Sequence, residues 1–301
     1  MKIHLIYVTI LVMTFMSAHT IFGRETDDYA PMKYERENMT EKMRISRGGQ
    51  LYDNWWRTST QDEKPAADQL LWKTQQGNNR SGYSTYRCKE CHGWDYRGKD
   101  GAYRKGSHYT GFQGVYEASQ KMSLDELEGA LRGETNKDHD FMKFLSEEDI
   151  ADLALFQKYG TIDLMKLVNT DASLVGGDIG EGQSFFSLNC MTECHGPTGT
   201  SINFGTEEKP EFISTVAKKN PWEFIHKVRA GQPGTRMSSG IINNWSEKDI
   251  LNLLAYSQSL PAEQPEAGWF DRFLSSIGFG EKKLKGYSHE EHRGFGPKLE
   301  Q

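Results

Sequence analysis

The chain holds four cysteines, and all of them lie in two short runs that end in histidine. The first run is Cys88-Lys89-Glu90-Cys91-His92. The second is Cys190-Met191-Thr192-Glu193-Cys194-His195, one residue longer between its thiols. Two nearby thiols followed at once by an imidazole form the attachment pattern for c-type haem. The thiols add to the vinyl groups of the porphyrin, and the imidazole binds the iron from one side. Zinc or dithiol redox chemistry is the other use of a Cys-x-x-Cys pair, and a zinc site would want a second pair of matching spacing, which the chain lacks. No cysteine is left for a disulfide, a thiolate ligand or a nucleophile. The expected cofactors are therefore two covalently bound haem c groups, held by Cys88, Cys91 and His92 and by Cys190, Cys194 and His195.

The elements that must position these runs follow one programme of helix signals, given twice. After His92 a helix opens on a capping box, Ser123-Leu124-Asp125-Glu126, and ends at Arg132-Gly133. After His195 a helix opens on Asn220-Pro221-Trp222-Glu223, with proline at its first position, and ends at Arg229-Ala230-Gly231. A turn-rich loop follows each, and then a second capped helix. One is Ser146-Glu147-Glu148-Asp149 leading to Leu155, Phe156 and Tyr159; the other is Ser246-Glu247-Lys248-Asp249 leading to Leu253, Leu254 and Tyr256. Any one cap says little, but their shared order around the Cys-His runs points to a tandem repeat. Upstream, Leu51, Tyr52, Trp55 and Trp56 form the apolar face of one helix. A stretch rich in Gly, Asn, Ser and Gln, from Gln75 to Ser84, then carries the chain to Cys88.

In this order the chain resembles class I cytochromes c, duplicated into a dihaem protein. In the second half Gly182, Phe185 and Phe186 lead into Cys190, Cys194, His195 and Gly196, and Gly234-Thr235-Arg236-Met237 precedes a closing helix that ends in Ala255-Tyr256. The resemblance covers roughly Gly49 to Pro261, and its specificity lies in the Cys-His runs. It implies an all-α fold of two tandem cytochrome c-like domains, each with a few short helices around a covalently bound haem. The expected domains are residues 47–165, with an insertion between the aromatic helix and Cys88, and residues 175–262. The three residues between Cys190 and Cys194 depart from the usual two, so the extra residue must bulge for both sulphurs to reach their vinyl carbons.

The resemblance also implies a ligand opposite each proximal histidine. For the second haem Met237 fits, a thioether in a Gly- and Pro-rich loop before the last helix; Met191 lies inside the attachment run and cannot reach the distal side. For the first haem Met142 and His139 compete, with His108 more remote. Family habit favours Met142. The internal repeat favours His139, which stands six positions after Gly133 as Met237 stands six after Gly231. Measured from the other edge of the loop, Met142 is four residues ahead of Ser146, His139 seven, and Met237 nine ahead of Ser246. The expected iron ligands are His92 with His139 (Met142 as the alternative) and His195 with Met237. A Met/His pair raises the potential, so the first haem is expected to be the low-potential site and to pass electrons toward the second.

The ends of the chain read differently. Residues 1–23 carry Lys2, an apolar run from Ile3 to Met16 and small residues at Ser17 and Ala18, the features of an export signal, with cleavage after Ala18 or Gly23. An uncleaved anchor is the rival, although the run is short for a span. Residues 24–46 read as a polar linker. Residues 263–301 read as a partly disordered tail, with a short amphipathic stretch around Trp269, Phe270 and Phe273; its His289 and His292 read as surface histidines.

At 301 residues with 36% hydrophobic content, the chain is lean for two small domains. A covalently held porphyrin supplies the apolar body that each core lacks, and Trp94, Tyr96, Tyr103, Tyr109 and Phe112 are expected to pack around the first one. The net charge of -6 with scattered basic residues excludes nucleic acid as an expected partner. The expected function is that of a periplasmic or otherwise exported electron-transfer cytochrome, acting on redox protein partners as a shuttle or as the cytochrome subunit of an oxidoreductase, with peripheral or no membrane association. Two six-coordinate irons leave no position for a substrate. The rival is a dihaem enzyme, a peroxidase or a sulphur-compound dehydrogenase. A peroxidase needs an iron that loses its sixth ligand, and the dehydrogenase type uses a distal cysteine that this chain does not have to spare.

Overall fold

The computed structural model describes residues 36–59, 64–75 and 77–264, giving the backbone alone at Thr192 and Glu193. The expected signal, most of the expected linker and the stretch around Trp269 lie outside the described residues. Within them the chain is mostly helical and has no strand, only three isolated bridges, so the all-α expectation is met. No described helix is long and apolar enough to cross a membrane.

The first long helix, α1 (Glu41–Asn54), is capped by the side chain of Thr40, which accepts from the Met43 N–H. It starts inside the segment expected to be a linker, and Ile45 and Ser46 are buried. Charge explains the difference. Arg44, within the segment read as a polar linker, and Arg47, just after it, both reach the fully buried carboxylate of Asp152, at 2.8 and 2.9 Å. The next elements are α2 (Cys88–His92), α3 (Tyr116–Lys121), α4 (Leu124–Leu131) and α5 (Glu147–Leu155), which winds on as a π turn over Phe156–Gly160. Then come α6 (Ile179–Phe186), a π-helical turn over Ser187–His195, α7 (Ile213–Lys219), α8 (Pro221–Ala230), α9 (Gly240–Asn243) and α10 (Glu247–Ser259). The capping boxes at Ser123, Ser146 and Ser246 all form, and Asn220 caps α8 with Pro221 at its first position.

The repeat is visible as one helix crossing built twice. A Cβ placed on Gly48 of α1 would lie 1.9 Å from the carbonyl oxygen of Asp152 on α5 and 2.7 Å from Cβ of Phe156. A Cβ on Gly182 of α6 would lie 2.0 Å from the carbonyl oxygen of Asn252 on α10 and 2.8 Å from Cβ of Tyr256. Only glycine lets the two backbones come this close. One helical turn after each glycine stands an aromatic ring that packs on the closing helix: Tyr52 lies 5.8 Å from Phe156, and Phe186 lies 5.4 Å from Tyr256, centroid to centroid. The insertion before Cys88 does not displace this packing; α1 takes the place that α6 takes in the second half.

The two repeats share an apolar core. The back of α1 packs on α8, where Ser46 Oγ and Gln50 Nε2 both donate to the carbonyl of Ala230, at 2.9 and 3.0 Å. The two helix crossings thus meet across one core.

The insertion itself forms a strap of short 3-10 turns at Leu70–Thr74 and Gly82–Tyr86. Trp72 Nε1 donates to the Arg80 carbonyl at 2.8 Å, and the Gln69 N–H donates to Thr85 Oγ1 at 2.9 Å, which pins the strap to itself.

Candidate functional site

Both Cys-His runs are helical and both end on a glycine with positive φ, Gly93 at 78° and Gly196 at 67°. In the first, the Gly93 N–H donates to the Lys89 carbonyl at 3.0 Å, four residues back. In the second, the Gly196 N–H donates to the Met191 carbonyl at 3.0 Å, five residues back. The acceptor is in each case the residue after the first cysteine, and the donor the residue after the histidine. The expected bulge therefore takes the form of a widened π turn that absorbs the extra residue, a device common at functional sites. The chain leaves both runs alike: the Gly98 N–H reaches the His92 carbonyl at 2.8 Å, and the Ser201 N–H reaches the His195 carbonyl at 3.3 Å.

Across from the first run stands His139. Its ring centroid lies 6.2 Å from that of His92, with the planes 78° apart. Nδ1 of His92 is 2.6 Å from the Gln113 carbonyl, and Nδ1 of His139 is 3.0 Å from the Ala130 carbonyl. A carbonyl only accepts, so each Nδ1 carries the proton and each Nε2 has the free lone pair. This is how outer partners fix the tautomer of metal-binding histidines. Two imidazoles that share one metal at about 2 Å each have ring centres roughly 6 Å apart. Met142, three residues along, is half-buried and has its N–H on the Asp140 carboxylate at 2.9 Å. No described contact joins it to His92. His108 is held elsewhere, stacked on Tyr103 at 4.7 Å.

Burial and the neighbouring His139 push His92 down to about 4, burial lowers His139, and burial pushes His195 down to about 4. All three imidazoles are thus neutral, the state in which they bind metal. Burial pushes the thiols of Cys88 and Cys190 up to about 12. That is the reverse of the lowered pKa of a redox dithiol or a nucleophilic cysteine.

The donor set at the first run suits a haem: two thiols and an imidazole on one helix, and a second imidazole across a metal-sized gap. Among the described residues no cluster of three or more His, Cys, Asp or Glu is placed to hold a metal ion. A porphyrin supplies four donors of its own, so a facing pair is all it asks of the protein. At the second run two thiols and an imidazole again share one helical turn, and among the described residues the buried Nδ1 of His195 has no hydrogen-bond partner. Met237 is half-buried against the core in the loop before α9, with its N–H on Thr235 Oγ1 at 3.2 Å. No described contact pairs it with His195.

The aromatic residues after the first run reach beyond it. Trp94 and Tyr96 pack on the second repeat: the Trp94 ring is 4.9 Å from that of His226 on α8, and Tyr96 Oη is 2.9 Å from His226 Nδ1. Tyr103 is buried against His108, while Tyr109 is 40% exposed. Beside them lies a buried ion lattice. Against the upward push of burial, Lys227 and Arg87 hold the Asp53 carboxyl well below the usual carboxylate range, which ties α1, the residue before Cys88, and α8 together. Lys89 and Glu90, within the first run, are buried and paired with each other, and Arg80 reaches Glu90 at 2.7 Å.

Four residues of consequence have weak sequence signals. Gly48 and Gly182 share the spacing Gly-x-x-x-aromatic ahead of the runs, a signal open to alignment of the halves. His226 sits on an apolar helix face like any core residue. Gln69 is one glutamine in a polar stretch. No family model, curated protein or solved structure matches this chain.

Proposed function

We propose that the chain is an exported dihaem electron-transfer protein built of two tandem class I cytochrome c domains. The observation that carries the reading is the pairing of His92 and His139 across a metal-sized gap, each with Nδ1 tied to a backbone carbonyl. The doubled crossing and the doubled exit from the Cys-His runs support two such domains. Bound haem supplies reversible one-electron chemistry at iron. The protein's part is to hold each haem by two thioethers and to keep the proximal imidazoles neutral. Gln113 and Ala130 carbonyls orient the first pair, and an oriented pair of strong donors leaves no iron position for a substrate. The first centre is bis-histidine and of low potential; the second, with His195 and Met237, is of higher potential, and electrons pass from the first to the second between redox protein partners.

Optical and low-temperature EPR spectra of the purified ferric protein, with a redox titration, test this. Imidazole planes near 78° leave the two iron orbitals of that symmetry nearly degenerate, so the first centre is expected to give a highly anisotropic low-spin signal. The second is expected to give the far-red methionine-iron band. Two equal midpoint potentials overturn the direction of transfer. A high-spin centre in the resting protein overturns the carrier reading in favour of a dihaem enzyme.

A further inference from the structure

The strap ahead of Cys88 touches the first site from both sides. Its C-terminal end runs directly into Cys88. Its other end reaches the loop that carries His139: Gln69 Nε2 donates to the Asp138 carbonyl at 2.5 Å, the oxygen of the peptide bond that joins Asp138 to His139. Gln69 is buried, and its own position is fixed twice, by its N–H on Thr85 Oγ1 and by its Oε1, which accepts from the Leu71 N–H at 2.5 Å. The loop is set from inside as well, since the Asp138 N–H donates to Asn136 Oδ1 at 3.0 Å and the His139 N–H to the Asn136 carbonyl at 2.9 Å. Beside this bridge, strap and loop are parted by a cleft of about 170 Å³ lined by Gln69, Leu70, Tyr86, Asp138 and Phe144, so the loop has room to move when the bridge is broken. The second repeat has no counterpart: α6 continues without a break into the π turn that carries Cys190 and Cys194.

We propose that the strap is a clip that holds His139 in place, with Gln69 as its positioning residue, so that the first centre resists exogenous ligands while the second remains open to them. The inference rests on the proposed His92 and His139 ligation. The clip acts on the opening of the distal loop, a local equilibrium that precedes any replacement of His139.

The test is cyanide binding to the full-length ferric holoprotein, followed at each centre by EPR. In the unaltered protein the second centre is expected to take up cyanide first. Gln69→Ala removes one hydrogen bond to a backbone carbonyl, which favours the open loop roughly fivefold, and first-centre cyanide uptake is expected to rise by that factor with second-centre uptake unchanged. Thr74→Ala, which removes the hydrogen bond from Thr74 Oγ1 to the Leu71 carbonyl and leaves the Gln69 bridge in place, is expected to leave both unchanged; should Gln69→Ala lose haem, Gln69→Met takes its place. Equal first-centre uptake in the unaltered protein and Gln69→Ala, or equal effects of Gln69→Ala and Thr74→Ala, overturns the clip. Absence of a bis-histidine signal in the unaltered protein overturns the underlying ligation instead.

Discussion

His226 makes the joint between the repeats sensitive to acid. The ring is fully buried on α8, Tyr96 Oη donates to its Nδ1 at 2.9 Å, and its Nε2 donates to the Gly49 carbonyl at 3.0 Å. Both nitrogens are satisfied in the neutral form. Burial pushes the group from its ordinary 6.5 down to about 3, with Lys227 adding to the shift and Asp53 opposing it. Above pH 6.5 the ring is neutral folded and unfolded, and its full contribution is present. As the pH falls below 6.5 the unfolded chain takes a proton that the folded one refuses, and stability drops by about 1.4 kcal/mol per pH unit until the folded group titrates. Between pH 7 and pH 5 that amounts to about 2 kcal/mol. Denaturant unfolding of the holoprotein at the two pH values measures it, with His226→Gln as the comparison. Glutamine keeps an acceptor and a donor and has nothing to titrate. The variant is expected to be weaker at pH 7 and to lose about 2 kcal/mol less than the parent on going to pH 5. Equal losses in the two proteins would refute the assignment of the acid sensitivity to this ring.

The doubled crossing predicts a doubled weakness: Gly48→Ala and Gly182→Ala each bring a methyl group within about 2 Å of a carbonyl oxygen, and each is expected to cost about 3 kcal/mol by forcing two helices apart. Thermal melts of both variants check it, and a large loss in only one would show that the crossings are not equivalent. Replacing Cys88, Cys91, Cys190 and Cys194 with serine is expected to yield a largely unfolded chain, because the lean cores lose the porphyrins they close around. Native-like near-UV circular dichroism from that protein would contradict the expectation.

How much of this was legible in the sequence follows from the reach of each interaction. Caps are local, so Ser123, Ser146, Asn220 and Ser246 announce their helices, and the structure forms every one. The preference for His139 over Met142 came from spacing against Gly133, and His139 is the residue found beside His92. Long-range pairing is silent in a single sequence. Nothing near Arg44 or Arg47 in the chain shows that they pair with Asp152, more than a hundred positions away. Nothing local to Trp94 and Tyr96 shows that α8 lies behind them. The extra residue in the second run demanded a bulge, but whether as a loop or a π turn depended on the exit bond to Gly196.

The repeats differ in kind as well as in degree. What fixes geometry is held in common: the glycine crossings, the aromatic rings packed beside them, the helical Cys-His runs and the glycines that end them. What sets charge and access is not. At the crossing, Asp152 gathers arginines from α1, whereas Asn252 in the same place makes only hydrogen bonds, to Glu181 and Asp178. Behind the first run Lys89 and Glu90 are buried with Arg80, while the second run begins beside Leu188, 81% exposed. A strap bridges the first site and none bridges the second. If the sites were redundant there would be no reason to surround them so differently. On the proposed reading, buried charge and a closed distal loop belong to a centre that only passes electrons inward, and the exposed Leu188 belongs to the centre that meets a partner. The unlike surroundings, rather than the unlike spacing of the cysteines, are therefore the stronger ground for expecting unlike potentials.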